Sequence, residues 1–319
     1  THPNVFQILL YYLILVLVTF CFNKEFREKY SKSLTIILPV CLIVFLLTLI
    51  PIKNNKLEIM AFDVGNADSF LIKTPANEYI MIDTAKSGYN GGKSQAEMLI
   101  LKYMLDRGIK NIDTIIVTHF DNDHCGGAVD LMKGVKVKIL YVNSLTHSSN
   151  EAKNIYETAN KCGVELKLAE IGQVVYEKDG LKLTNYISKD SLEYGDNESS
   201  ILTLLNFKGF SMLFTGDSGV DTFNNLKKYL PKSITVLKVG HHGALGVVNK
   251  EMVDYLNPKI ALISVGENKF GHPSPVTLDV LKNTKILRTD INNSIKFIVD
   301  KNGYNIYSFN TRKKKYKKL

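Results

Sequence analysis

The sequence reads Thr118-His-Phe-Asp-Asn-Asp-His124 directly after a short apolar run and directly before Cys-Gly-Gly. The apolar run is typical of a buried strand, so two histidines and two aspartates occupy the loop at its carboxyl end. Because side chains alternate along an extended segment, His119 and Asp121 are expected to face one cation. Asp123 and His124 then face another. A polar surface turn is the plain alternative, but such a turn rarely combines four metal-ligand side chains behind a buried strand.

Three later segments supply further imidazoles and carboxylates at predicted strand ends. They read Phe214-Thr-Gly-Asp217, Val239-Gly-His-His-Gly243 and Gly271-His-Pro273. Each segment alone is a weak signal, because a Gly-Asp turn or a single histidine is more often structural. Together they place ligand side chains at the ends of several strands, and such ends converge on one edge of a layered α/β fold. At that edge the Asp217 carboxylate could bridge two cations.

The remaining patterns predict an α/β domain. The early part is rich in short β-branched or aromatic runs, and the later part alternates such runs with helical spacing. A four-layered α/β/β/α sandwich satisfies this order, although periodicity alone leaves a doubly wound sheet open. The predicted strands are Leu57–Val64, Ser69–Lys73, Tyr79–Ile82, Thr114–Val117, Lys138–Val142, Glu165–Leu168, Ile201–Phe207, Ser211–Phe214, Thr235–Val239, Ala261–Val265, Ile295–Val299 and Tyr304–Phe309. The predicted helices are Ser94–Arg107, Gly126–Met132, Asn150–Lys161, Asp221–Tyr229, Lys250–Leu256 and Val276–Asn283.

Two apolar runs before this domain predict a transmembrane helical hairpin over residues 1–52. Val5–Phe22 carries no charge, and with Leu34–Ile52 each run approaches the roughly 20 residues that span a bilayer. A signal peptide fits less well, because no basic region precedes the first run and a second run follows. The basic loop between the runs is predicted to be cytoplasmic, which places the following domain outside the cytoplasmic membrane. The basic residues of that loop are Lys24, Arg27, Lys29 and Lys32. Because the chain begins with Thr1 rather than methionine, we expect a fragment or a processed product.

The formal net charge is +9, and much of the excess lies in the last eight residues. We therefore divide the chain into the hairpin at 1–52, an α/β domain at 53–311 and a basic tail at 312–319. A basic balance favours an acidic partner such as nucleic acid or anionic lipid, and a solvated tail is the plain alternative. The four cysteines form no CxxC pair, so neither a zinc finger nor a disulfide framework is predicted. Cys125 is expected to be a small core residue at the start of a helix.

Taken together, the four motifs resemble those of the metallo-β-lactamase superfamily. More narrowly, they are similar to the C-terminal domain of ComEC-type DNA-uptake (competence) proteins. The resemblance includes Phe62–Asp68, Ile80–Thr84 and Asn197–Ser200, and it spans about residues 57 to 310. It implies the metallo-β-lactamase α/β/β/α sandwich preceded by two transmembrane helices, since that family also carries membrane helices before this domain.

The resemblance also implies how a two-metal site is built. Asp217 bridges the two ions, and the remaining ligands divide into two sets. The first set comprises His119, Asp121 and Asn197. The second set comprises Asp123, His124 and His272. Asn197 stands in for a histidine that the superfamily usually supplies before the bridging aspartate. His147 is the only histidine between the ligand loop at 118–124 and Asp217.

Catalytic roles follow from the same resemblance. Asp123 is expected to orient the attacking water as well as to bind metal. Either His241 or His242 protonates the leaving oxygen or serves as a ligand, and the sequence does not distinguish the two. Three further aspartates are expected to shape the loop turns and the surroundings of the ligands: Asp63, Asp68 and Asp83. For Asp68 a functional role is equally open.

The position of Asp121 bears on the identity of the metal. Ordinary superfamily members have histidine where this chain has Asp121. Carboxylates are harder ligands than imidazoles and favour Mn²⁺ or Mg²⁺ relative to Zn²⁺. We therefore expect two divalent ions, with Mn²⁺ favoured and Zn²⁺ as the alternative.

These expectations describe a membrane-anchored, metal-dependent hydrolase, a nuclease that cleaves DNA phosphodiesters during DNA uptake. Its expected partners are DNA, the cytoplasmic membrane and other DNA-uptake proteins. One alternative is another hydrolase on the same fold, acting on a lactone, a lactam or a small phosphodiester. A second is a degenerate module that binds and positions DNA, and a third is a membrane protein with a purely structural role.

Overall fold

The chain divides into two compact units in the computed structural model, which describes residues 3, 5–49, 55–88, 92–188, 197–310 and 313–319. One unit holds residues 1–53 with the short segment 106–109, and the other holds the rest of the chain. In the first unit, helix α1 (Val5–Phe22) packs against helix α2 (Lys24–Leu49). By length and composition both helices are apolar enough to span a membrane. The end of the second predicted run, residues 50–52, lies outside the described residues.

The polar segment between the two apolar runs is helical, whereas the sequence analysis treats it as a loop. Helix α2 begins at Lys24 and includes all four basic residues of that segment. The Asn23 side chain caps its start by accepting a hydrogen bond from the Phe26 amide at 3.0 Å. A non-helical conformation at Tyr30, with φ −116° and ψ 17°, marks a kink within α2. Because Glu, Lys and Arg are strong helix formers, the segment continues the helix despite its polarity.

The described part of the second unit contains two mixed sheets. Their strands are β1 Leu57–Ala61, β2 Ser69–Lys73, β3 Tyr79–Thr84, β4 Asn111–Ile116, β5 Lys136–Val142, β6 Glu165–Leu168, β7 Gln173–Lys178, β8 Leu181–Tyr186, β9 Leu202–Phe207, β10 Phe210–Phe214, β11 Val236–Lys238, β12 Ile260–Ile263, β13 Lys285–Arg288, β14 Ser294–Asp300, β15 Gly303–Asn310 and β16 Lys315–Lys318. The further helices are α3 Lys102–Leu105, α4 Asn122–Cys125, α5 Ala128–Gly134, α6 Asn150–Cys162, α7 Val220–Leu226, α8 Lys250–Leu256, α9 Pro275–Val280 and α10 Thr289–Asn292, with a π-helix Ala96–Leu101 leading into α3.

The first sheet has nine strands in the order β16-β15-β14-β1-β2-β3-β4-β5-β6. It is parallel from β3 to β6 and antiparallel elsewhere. The second sheet has seven strands in the order β13-β12-β11-β10-β9-β8-β7 and is parallel from β10 to β13. All twelve strands predicted from the sequence are present, with ends that differ by a few residues.

The two sheets pack face to face over one apolar core. Ile59 and Phe70 of the first sheet and Leu205 and Phe214 of the second belong to this buried cluster. The rings of Phe70 and Phe214 meet edge to face at a centroid distance of 5.1 Å. Helices α5 and α6 pack on the first sheet, and a second cluster around Phe223 of α7 covers the outer face of the second sheet. The predicted α/β/β/α order of layers is confirmed, and a single doubly wound sheet is excluded.

The strand registers bring the polar loops to one edge of the sandwich. Strand β4 runs parallel to β3, so both end at the edge where Asp83 and Thr118 lie. Ser69 at the start of β2 pairs with Thr84, which places the preceding Asp68 there as well. In the second sheet β10 and β11 also run parallel, and their ends lead to the segments that follow Phe214 and Val239. The carboxyl ends of parallel strands are the usual position of a ligand site in such sheets.

The sequence analysis did not predict the hairpin of β7 and β8 or strand β13. Strand β7 lies at the edge of the second sheet and contains only half-buried and exposed residues, many of them charged or polar. Strand β13 has four residues and pairs with β12 from a distant part of the chain. Short edge strands bury little apolar surface, so their pattern is weak in the sequence although their backbone pairing is complete.

The basic tail at 312–319 is not separate from the sandwich. Residues Lys315–Lys318 form β16, which pairs with β15 through four registered residue pairs and extends the first sheet. The boundary predicted at residue 311 therefore cuts a hairpin. The run of lysines hid the strand, because charge and exposure on an edge strand remove the alternation that marks a buried one.

Close backbone approach at Gly127 generates a stability prediction. A Cβ at Gly127 would lie 2.2 Å from the carbonyl oxygen of Thr84, whereas a Cβ at Gly134 would meet only the flexible end of Leu101, at 2.7 Å. We expect Gly127→Ala to destabilise the domain by about 1–3 kcal/mol and Gly134→Ala by less. Thermal unfolding of the whole chain in detergent, followed by circular dichroism, checks this. Equal midpoints for the two variants would contradict the close approach.

Candidate metal centre

The ligand loop after β4 is oriented by the carboxylate of Asp83. That carboxylate accepts hydrogen bonds from the Thr118 amide at 2.8 Å and from the Thr118 hydroxyl at 2.9 Å. Its Oδ2 also lies 2.8 Å from Nδ1 of His124. Because an ionised carboxylate can only accept, Nδ1 of His124 carries the proton of this contact. The ring is thereby fixed with Nε2 toward the centre of the site, as in carboxylate–histidine–metal arrangements.

His124 has an acceptor at its second nitrogen as well. Its Nε2 lies 3.0 Å from Oδ1 of Asp217, which follows β10, and both side chains are buried. A neutral imidazole with its proton on Nδ1 would direct the Nε2 lone pair at this carboxylate, an unfavourable contact in a buried site. A metal ion between the two atoms, or a second proton on the ring, removes the repulsion.

His242 repeats this arrangement from the second sheet. Its Nδ1 lies 2.8 Å from the carbonyl oxygen of Ser264, and its Nε2 lies 3.3 Å from Oδ2 of Asp123. Three consecutive residues have a left-handed backbone that turns the chain after β11: His241 with φ 43°, His242 with φ 53° and Gly243 with φ 81°. The turn directs His242 into the interior, whereas the side chain of His241 remains 38% exposed.

His119 completes the set of inward-facing imidazoles. Its ring is fully buried, and its centroid lies 4.2 Å from that of His124. Nδ1 lies 3.1 Å from the hydroxyl of Thr118 and 3.2 Å from that of Ser200. Nε2 faces Oδ2 of Asp121 at 3.5 Å and makes no hydrogen bond of acceptable geometry within the described residues.

These side chains form two groups that fit divalent metal ions. The groups are His119 with His124 and Asp217, and Asp123 with His124 and His242, and within each the ligand atoms lie within 4.8 Å of one another. Imidazole nitrogens and carboxylate oxygens are ligands suited to Mn²⁺, Fe²⁺ and Zn²⁺. Two histidines that face acceptors at both nitrogens need a cation, so the residues present fit a metal centre. Asp123 and His124, neighbours in the ligand loop, belong to the same group.

The electrostatics of the site show the same demand for positive charge. Burial alone would raise the pKa of Asp217, but His124, His242 and Lys238 hold it well below its ordinary value. Burial would lower the pKa of His124, but the carboxylates of Asp217 and Asp83 raise it well above its ordinary value. The pKa of Asp123 falls to about 2, because the contact with His242 and the charge of His124 outweigh its burial. A metal ion would take the place of the extra proton on His124.

Lys238 is a cation of the site that the sequence analysis missed. It lies in β11, fully buried, with its ammonium paired to Asp68, donating to the Gly216 carbonyl at 2.6 Å and 3.7 Å from Oδ1 of Asp217. Burial would lower the pKa of Lys238, but Asp68 and Asp217 raise it. Asp68, Asp83 and His124 also cluster closely, but Asp68 is already paired with Lys238. A lysine inside an otherwise apolar strand is the sequence signal, since lysine is almost never fully buried unless paired.

The outer rim of the centre is formed by His241, Asn197 and His272. The Asn197 amide lies 3.2 Å from Nδ1 of His241, and the His241 amide donates to Asp217 at 3.1 Å. The His272 ring lies 5.5 Å from that of His241, and burial together with His241 and His242 lowers its pKa. Of the predicted ligands, neither His272 nor Asp121 belongs to the metal-capable groups of histidines and carboxylates among the described residues. In the set predicted with Asp123 and His124, the structure brings in His242 rather than His272.

The segment Asn197–Ser200 supports the site from behind. The Ser200 hydroxyl contacts His119 and accepts a hydrogen bond from the Asp217 amide at 3.1 Å. The carboxylate of Glu198 accepts from the amides of Gly219 and Thr222 at 3.1 and 3.0 Å, which caps the start of α7. This capping ties the segment to the second sheet and keeps Ser200 between its two partners.

Two other residues considered from the sequence lie outside the metal-capable groups. Cys125 is buried in α4, where its thiol contacts the Phe120 carbonyl and burial raises its pKa. Asp63 is half-buried, and its amide donates a hydrogen bond to the Ser294 hydroxyl at 2.9 Å. Both positions agree with structural roles.

The sandwich and its metal-capable edge define the class of protein. Residues 62–267, more than half of the chain, match the metallo-beta-lactamase superfamily. The chain therefore belongs to that superfamily, whose fold binds divalent metal ions, usually two, and supports metal-dependent hydrolysis.

Two relatives show which members of the superfamily this chain is similar to. ComE operon protein 3 of Bacillus subtilis is 28% identical over 310 residues, which cover 93% of this chain and 39% of the relative. Competence protein ComA of Neisseria gonorrhoeae is 23% identical over 275 residues, which cover 83% of this chain and 36% of the relative. The resemblance to ComEC-type competence proteins is thus confirmed, and the chain spans less than two fifths of these relatives.

Among solved structures, the metallo-beta-lactamase fold protein YhfI of Bacillus subtilis superposes with a TM-score of 0.50 and 10% identity. The superposition covers 76% of this chain and 99% of that one. At this identity the likeness shows the fold alone.

The Lys238–Asp68 pair generates the next prediction. Lys238→Met leaves Asp68 buried without its cation, so we expect a loss of about 3–5 kcal/mol in the free energy of unfolding. The double variant with Asp68→Asn should recover part of this loss. The matched control is Lys227→Met, whose partner Glu251 is exposed, with an expected loss below about 1 kcal/mol. Thermal unfolding of the whole chain measures all three, and similar losses for the two single variants would refute the buried ion pair.

Proposed function

We propose that this chain is a membrane-anchored, two-metal phosphodiesterase that cuts DNA during its uptake. The main observation that supports this proposal is that His124 and His242, both buried, face hydrogen-bond acceptors at both of their ring nitrogens. Such a site requires cations. An edge rich in cation-binding carboxylates and imidazoles suits hydrolysis of an anionic ester, whose charge the bound ions would offset.

The ligands would divide between two ions, with Asp217 available to both. His119 and Asp121 would hold the first ion, and the remaining three would hold the second: Asp123, His124 and His242. Asp217 lies close to ligands of both sets, because its ligand atoms and those of His119 and His124 lie within 4.8 Å of one another. When bound, the two ions supply Lewis-acid activation of water and of the phosphate.

The other steps belong to side chains of the chain itself. Asp123, 25% exposed, is placed to accept a hydrogen bond from the attacking water and to orient it. Asn197 donates to Nδ1 of His241, so the proton of the neutral ring is on Nε2. At the half-exposed rim this Nε2–H can donate to the leaving oxygen. His272, beside it and with a lowered pKa, can relay a proton from solvent.

DNA is the proposed substrate on the strength of the relatives, which are named for competence, and of the basic charge of the chain. Because the charge recognises phosphate rather than bases, cutting should be independent of sequence. The basic start of α2 favours a cytoplasmic position for the turn between the helices. We accordingly propose that the catalytic domain lies outside the cytoplasmic membrane and works with other DNA-uptake proteins there.

Mutation of the shared ligand tests the activity. We expect Asp217→Asn to lower cleavage of labelled single- or double-stranded DNA by more than the 10–100-fold typical of an outer supporting residue. The assay compares Mn²⁺ with EDTA, using the whole chain in detergent, and it includes bis(p-nitrophenyl) phosphate and a lactone and lactam panel. The matched control is Asp254→Asn, at an exposed position of α8. Unchanged cleavage in Asp217→Asn would refute the site, and turnover of lactams or lactones alone would refute the nuclease.

The metal preference has its own test at Asp121. Replacing a carboxylate by an imidazole softens the ligand set, so Asp121→His should shift the preference of the enzyme from Mn²⁺ toward Zn²⁺. Diesterase activity of the apo chain reconstituted with each metal gives the ratio, and mass spectrometry of the purified chain gives the metal content. Asp254→His controls for an added surface histidine. Stoichiometric zinc in the unmodified chain, with no stimulation by Mn²⁺, would contradict the manganese proposal.

A further inference from the structure

Strand β16 forms a rim of positive charge on the first sheet. Residues 312–319 contain six basic residues and no acidic one, against a net charge of +9 for the whole chain. Two thirds of the excess charge therefore lies within eight residues. All five lysines of this segment are exposed, and four of them are here called the basic edge: Lys313, Lys315, Lys317 and Lys318.

The basic edge is held in place by strand pairing and side-chain packing. Strand β16 pairs along β15, with Tyr316 opposite Phe309 and Lys315 opposite Asn310. The Tyr316 ring packs on Phe309 at a centroid distance of 4.6 Å, and the Lys296 ammonium lies 5.2 Å from the Tyr316 ring. Side chains alternate along the strand, so lysines project on both sides of the sheet margin.

The charge of the basic edge is not neutralised by the described residues. Across the domain, lysines pair with carboxylates, for example Lys178 with Glu78 and Lys282 with Asp279. Within the described residues, the four lysines of the basic edge have no such ion pair. An uncompensated row of ammonium groups is a suitable contact for a polyanion.

The registers place the start of β16 at the same end of the strands as the metal centre. Ala61, which leads to the Asp68 loop, pairs with Ile295, and Ser294 pairs with Phe309 at the end of β15. The end of β15 and the start of β16 therefore lie at the same end of the sheet as the metal centre. Five strand spacings of about 4.8 Å separate β3 from β16, so the basic edge begins roughly 24 Å from the metal centre. That span corresponds to about seven phosphates along one strand of duplex DNA.

We propose that the basic edge binds the phosphate backbone of the DNA whose scissile phosphodiester occupies the metal centre. This inference rests on the proposed function and identifies the path of its substrate. The backbone runs along the catalytic edge of the first sheet, from the ligand loops to β16. The contacts are with phosphates, so they position the chain without reading bases.

The test replaces all four lysines of the basic edge by Gln. The matched control replaces four exposed lysines at the opposite ends of the strands, with the same change in net charge: Lys110, Lys136, Lys208 and Lys301. Binding of fluorescent duplex DNA to the whole chain, in uncharged nanodiscs and on an Asp217→Asn background, is measured from about 50 to 200 mM salt. A variant with Arg at the four edge positions, together with thermal unfolding, controls for loss of the fold.

The Gln variant should bind at least tenfold more weakly at low salt, and the slope of log K against log salt should fall by about 3 to 4. The control and the Arg variant should retain the original slope. In chains that keep Asp217 unmodified, the Gln changes should leave the turnover of bis(p-nitrophenyl) phosphate unaffected. Equal slopes for the Gln variant and the control would overturn the proposal. So would self-association of the Gln variant with unchanged DNA affinity, because the lysines would then only protect the sheet edge. If the Gln variant lost binding to phosphatidylglycerol vesicles but retained DNA binding, the proposal would be overturned in favour of a membrane contact.

The result is separable from that for the proposed function. If the unmodified chain cleaves neither DNA nor the small diester with Mn²⁺ or Zn²⁺, the nuclease fails. A reduced salt slope in the Gln variant would still establish the basic edge as a DNA contact. Conversely, an unchanged slope with intact cleavage would refute the basic edge alone.

Discussion

Buried carboxylates at one edge of the sandwich must be balanced by positive charge, and this constraint governs the arrangement of the centre. Asp68, Asp83 and Asp217 are each at most 3% exposed. Lys238 compensates Asp68 permanently, and His124 lies between the other two. Since an uncompensated buried charge costs several kcal/mol, a second proton on the imidazoles or bound metal ions must supply the rest. The same charges that would destabilise an empty interior therefore create affinity for divalent ions.

The fold meets this constraint by bringing distant segments to a single edge. Two sheets contribute opposite halves, with Asp83 and His124 from the first and Asp217 and His242 from the second. Hydroxyls and carbonyls hold the imidazoles: Thr118 secures Asp83 behind His124, and a carbonyl of the second sheet secures His242. Because each ring is held at Nδ1, the Nε2 atoms are preorganised before any ion arrives, which lowers the reorganisation that binding requires.

Much of this could be predicted from the sequence, and the failures have physical causes. The order of strand and helix patterns predicted the sandwich, and the ligand types at strand ends predicted that Asp123 and His124 lie together. The choice between His241 and His242 depends on the left-handed turn before Gly243, which no periodicity encodes. His272 was grouped with the ligands because its motif follows a strand, yet it lies on the rim beside His241. Lys238 was missed because the role of a single lysine within an apolar strand can be recognised only once its buried partners are known.

The separation of charge across the domain connects metal binding with substrate binding. The centre presents a cluster of carboxylates, which repels a polyanion as long as no metal is bound. The basic edge presents uncompensated ammonium groups, and their field acts over a distance of about 10 Å at moderate salt. In the proposed nuclease, that field would concentrate DNA near the edge that carries the metal-capable residues, and a metal-loaded centre would change the local sign from repulsive to attractive. Metal occupancy would then control both the chemistry and the approach of the scissile phosphate.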